Sequence, residues 1–142
     1  MREKLEKSCD AIEECYEFML AYAAQGLAGD EGSQSGSQLR GYLTRAASAV
    51  AGLADTFTAL VKEENLRPAE KYHKFIAVLD RDASDALAAI ELVLAQPSLS
   101  SQLIDNLNAS IHVRALLTDL FLIDEIAKPK PAPTPPTSVT AP

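Results

Sequence analysis

Residues 39–60 read LRGYLTRAASAVAGLADTFTAL. Within them Leu39, Leu43, Ala46, Val50, Leu53, Phe57 and Leu60 recur in strict alternation of four and three positions. That interval keeps one side of an α-helix apolar turn after turn, whereas a half-buried strand would alternate at every second residue. Tyr72, Ile76, Leu79, Ala83, Ala86, Ile90 and Val93 repeat the pattern downstream, and Leu5, Cys9, Ile12, Tyr16, Met19 and Ala23 repeat it upstream. The chain is therefore expected to be all-α.

Breakers set the expected boundaries. A first helix should run from Arg2 to Ala24 and stop before Gly26 and Gly29. Gln25 to Gln38 is polar and longer than the usual connection of about 2–8 residues between bundle helices. Gly32, Ser33, Ser35, Gly36 and Ser37 offer little apolar surface, so a flexible tether is expected rather than a cover over the bundle end. Ser37 can cap a second helix reaching Asn65. Pro68 fits the first position of a third helix. Gln96, Pro97 and Ser98 form a turn, and Ser98 or Ser100 caps a fourth helix continuing to Ala127.

From Lys128 the composition changes to KPKPAPTPPTSVTAP. Pro129, Pro131, Pro133, Pro135 and Pro136 each remove an amide donor and restrict the preceding residue, which forbids a helix. Residues 128–142 are expected to be a disordered Pro-rich tail. Its Pro133-Thr134-Pro135-Pro136 is read either as a polyproline ligand or as a plain extension. Residues 1–127 should form an up-down-up-down four-helix bundle. The rival arrangement sends the fourth helix out to pack on another chain.

Composition narrows the partners. The 142 residues carry 13 Lys and Arg against 20 Asp and Glu, a net charge of −7. A nucleic-acid binder needs a cationic face to release counterions, and an anionic membrane surface makes the same demand. No stretch approaches the ~20 apolar residues of a membrane span. The charged start Met1-Arg2-Glu3-Lys4 does not resemble a signal peptide, so the expected location is the cytoplasm. Without Trp and with 6% aromatics, the core must be aliphatic and Ala-rich. Cys9 and Cys15, six positions apart, would hold their α-carbons roughly 9 Å apart on one helix, beyond the roughly 7 Å a disulfide can span. Buried reduced thiols are expected.

The fourth helix is unlike the others. Leu103, Leu107, Ile111, Ala115, Phe121 and Leu122 form one apolar face, taken as the inner one. Val113, Leu116, Leu120 and Ile123 form a second stripe on nearly the opposite side. A helix lining a bundle needs one such face, so the second is expected to bind a partner, with a second copy of the chain favoured. Arg114 falls on the first face, and antiparallel pairing about Pro97 brings Asp80 and Tyr16 to a similar height. Tyr16, Asp80 and Arg114 are thus expected to make an internal polar layer, either structural or a small-ligand site.

Catalytic signatures fail. A carboxylate-bridged metal pair needs two Glu-x-x-His motifs, and only Glu70 to His73 matches, since His112 follows Ala109 by three. Neither a nucleophile elbow nor a phosphate-binding Gly loop occurs. No catalytic residue, metal or cofactor is expected. The expected function is a non-catalytic, adaptor-like or chaperone-like bundle that binds another protein as a homodimer through its fourth helix. The alternative is a small-molecule or cofactor binder, an enzyme included, using the polar site inside the bundle.

Overall fold

The computed structural model describes residues 1–128, and over them the chain is all-helical. The expectations for the Pro-rich tail fall outside the described residues. Five helices follow one another: α1 (Arg2–Ala24), α2 (Gln34–Glu63), α3 (Ala69–Leu94), α4 (Ser101–Ala109) and α5 (Ile111–Ala127). The central helix α2 packs against α1 and α3; α4 leans mainly on α1, and α5 mainly on α3. The alternating residues of 39–60 are all buried, as their spacing requires. Burying each larger side chain contributes about 1.5–3 kcal/mol, so this stripe organises the core.

The start of α2 lies earlier than Ser37. Ser33 is its N-cap, in extended conformation, and its Oγ accepts the Gly36 N–H at 2.9 Å. The segment before it is not a loose tether, and the correction has a specific cause. Asp30 accepts the Leu99 N–H at 2.7 Å and the Arg40 Nε–H at 2.6 Å. Arg40 also donates to the carbonyls of Gln96 and Leu94. Leu27 and Ser101 exchange bonds: the Leu27 N–H donates to Ser101 Oγ, and the Ser101 N–H donates to the Leu27 carbonyl. Tyr22, fully buried, donates its hydroxyl proton to the Leu99 carbonyl at 2.6 Å. These polar groups, together with Leu27 packed against the core, hold the segment across the end of the helices.

The opposite end has its own tie. Arg2, at the start of α1, donates Nε–H to Glu64 just past α2 at 3.0 Å, and donates to the Ala127 carbonyl at the end of α5. Each end of the molecule is therefore closed by an arginine that bridges segments far apart in sequence.

The expected fourth helix is two helices. Ser110 adopts an extended conformation (φ −64°, ψ 149°), its N–H bonds to the Leu107 carbonyl, and its Oγ accepts the Val113 N–H at 3.3 Å. A serine side chain competes with the helical ladder and satisfies an orphan amide of a new helix, so it ends α4 and starts α5. The break resets the rotational phase and reverses the inner and outer faces of the second half. Val113, Leu116, Leu120 and Ile123 are 4%, 1%, 0% and 2% exposed, in the core. Ile111, Phe121 and Leu122, read as inner residues, are 75%, 57% and 48% exposed.

Candidate functional site

The expected partner-binding residues Val113, Leu116, Leu120 and Ile123 are thus core residues of the single chain, and that assignment is corrected. The expected internal layer also comes apart. Asp80 and Arg114 are both exposed and make no ion pair with each other, while Tyr16 is half-buried. The rotation that turned Val113 inward turned Arg114 outward. Tyr16 and Arg114 do share a groove of about 460 Å³ between α1, α4 and α5, together with Leu20, Asn108 and Phe121. Asp80 is not part of it.

The unexpected feature is the outer face of α5. Ile111, Arg114, Thr118, Phe121, Leu122, Glu125 and Ile126 are exposed along it, with Ala115 half-buried. At about 100° per residue these side chains occupy one side of the helix, opposite the buried Val113, Leu116, Leu120 and Ile123. Large apolar side chains in that density on one exposed helix face mark a candidate binding surface. The Ser110 cap was the missed signal: a serine in a long apolar pattern can end a helix as well as ride on it.

Grooves flank this face on both sides. The first, containing Tyr16 and Arg114, lies at the α4–α5 break. The second, about 260 Å³, is lined by Phe57, Tyr72, Phe75, Ile123 and Ile126. There the Phe57 and Tyr72 rings meet edge to face with centroids 6.2 Å apart. Outer-face side chains reach the rim of each: Phe121 belongs to the first and Ile126 to the second.

Two polar groups beneath this surface stand out. Asp119 is 6% exposed, and its Oδ2 lacks a hydrogen-bond partner among the described residues. Burial, together with the neighbouring Asp82 carboxyl of α3, pushes its carboxyl up to about 7. Asn108 is equally buried, and its Oδ1 likewise lacks a partner among the described residues. Both thiols are buried and pushed up to about 12, Cys9 by burial reinforced by Glu13 and Cys15 by burial. They are thiols rather than nucleophilic thiolates at neutral pH.

Among the described residues no group of three or more His, Cys, Asp or Glu is placed to hold a metal ion. Among the same residues no helix is long and apolar enough to cross a membrane. Compared with protein-family models, with curated proteins and with solved structures, the chain has no match.

Proposed function

We propose that this chain is a non-catalytic, adaptor-like bundle that binds protein through the outer face of α5, its partner being a second copy of itself. In this reading α4 and α5 are one interrupted arm of an up-down-up-down four-helix bundle, and the arm offers its outer side for association. The observation that carries it is the exposure of Phe121, Leu122 and Ile126 together on one face. Full burial of each such side chain is worth about 1.5–3 kcal/mol, and each is already partly covered. Association costs several kcal/mol, so this face supports modest affinity. Two buried cysteines that do not pair suit a reducing compartment, which favours the cytoplasm.

Light scattering on the full chain tests the reading. Wild type should be a dimer at high micromolar concentration, and Phe121→Glu with Leu122→Glu should be a folded, helical monomer. A wild type that remains monomeric there overturns the homodimer.

A small-molecule reading draws on a separate observation. Asn108, whose buried Oδ1 has no hydrogen-bond partner among the described residues, lines the groove at the α4–α5 break beside Arg114 and Tyr16. A compound that raises the melting temperature of wild type but not of Asn108→Ala would decide for it.

A further inference from the structure

Resting on the reading that the α5 face binds a second copy, we propose that the two copies pair through antiparallel α5 helices about a two-fold axis. In this arrangement Arg114 of each copy faces Glu125 of the partner subunit.

A two-fold interface must be self-complementary: if one residue meets a second across the axis, the second meets the first. The outer face of α5 has that property. On one flank lie Arg114, Thr118, Phe121 and Glu125, spaced four, three and four, which reads the same from either end. Turning the helix round places Arg114 opposite Glu125 and Thr118 opposite Phe121, each twice. On the other flank lie Ile111, Ala115, Leu122 and Ile126, spaced four, seven and four, again the same from either end. This second set is centred one residue earlier than the first. Apolar side chains from the two copies are then staggered by about 3 Å along the helices, so they interleave instead of colliding.

The charges support the same geometry independently. Arg114 is near the N-terminus of α5 and Glu125 is in its last turn, and α5 has neither an acid in its first turn nor a base in its last. Both charges therefore sit at the end of their own helix where its dipole disfavours them. In an antiparallel pair each lies beside the opposite end of the neighbouring helix, where the dipole favours it. Arg114 makes no ion pair among the described residues, and Glu125 pairs only with Lys128, both side chains being exposed. Each is free to take a new partner.

Charge reversal tests the pairing by sedimentation equilibrium on the full chain. Arg114→Glu and Glu125→Arg should each weaken dimerisation by about tenfold or more, because the axis repeats every reversal. The double variant should return to within about threefold of wild type, since it restores opposite charges across the axis. Each single change moves its end of the helix toward the charge the dipole prefers, so helicity should be kept and a lost dimer is not misfolding. A dimer indifferent to both single reversals, or a double variant weaker than either, overturns the antiparallel pairing and leaves self-association standing. A wild type that is monomeric at several hundred micromolar overturns both.

Discussion

A buried carboxyl facing another carboxyl is comfortable only while a proton lies between them. Asp119 on α5 lies near Asp82 on α3, with the Asp119 group raised from an ordinary 3.8 to about 7 by burial and by the neighbouring Asp82 carboxyl. A raised carboxyl favours the folded state's protonated form, so below the unfolded value near 3.8 there is no penalty. The penalty grows as pH rises from there to about 7, and is complete above that value. Asp119→Asn keeps the shape and removes the charge. The variant should match wild type in denaturant unfolding at pH 4 and exceed it at pH 8 by about 1–3 kcal/mol, the usual cost of an unsatisfied buried group. An equal difference at both pH values would show that the Asp119 carboxyl does not titrate between them.

At the scale of the helix, the Ser110 cap decides which side of α5 is wet. Leu120 is fully buried and Leu122, two residues on, is 48% exposed. Leu120→Ala should cost about 2–5 kcal/mol, as large-to-small core changes do. Leu122→Ala should change the stability of the monomer by less than about 0.5 kcal/mol. Chemical denaturation at high dilution measures both. A reversed order would restore Val113, Leu116, Leu120 and Ile123 to the outside and remove the basis for the α5 surface.

For the molecule as a whole, the polar closure at the Asp30 end ties together segments distant in sequence. Asp30 has a side chain 9% exposed and bonded to both Arg40 and Leu99. The Arg40 hydrogen bond, opposed by burial and aided by the Leu99 N–H, holds its carboxyl below the usual range. Its contribution is therefore present at neutral pH and disappears only as acid protonates it, below its ordinary 3.8. Asp30→Ala should destabilise by about 1–3 kcal/mol and raise amide exchange at Leu99 and across residues 25–33. Unchanged exchange there would mean that the segment holds itself in place. Gly36 belongs to the same closure: a methyl group added to it would collide with the Asp30 backbone.

Helical class, the boundaries of α1 and α3 to within a residue or so, and the buried stripe of α2 were all legible in residues 2–94. There the information is local: an apolar side chain every three or four positions has one way to be buried, and Gly and Pro end the pattern. The α5 surface and the Asp30 closure were not legible, for two different reasons. Helix α5 has apolar side chains on both faces, so periodicity alone is indifferent to which one turns inward. One serine's choice between riding on a helix and capping a new one settles that, and the face it turns inward packs mainly against α3. In the 25–33 segment the stabilising partners Leu99 and Ser101 lie far along the chain, and Arg40 lies beyond the start of the next helix. Hydrogen bonds between distant groups leave no periodic trace in the sequence, so only the packed molecule could bring Asp30 and Arg40 to the end of the helices.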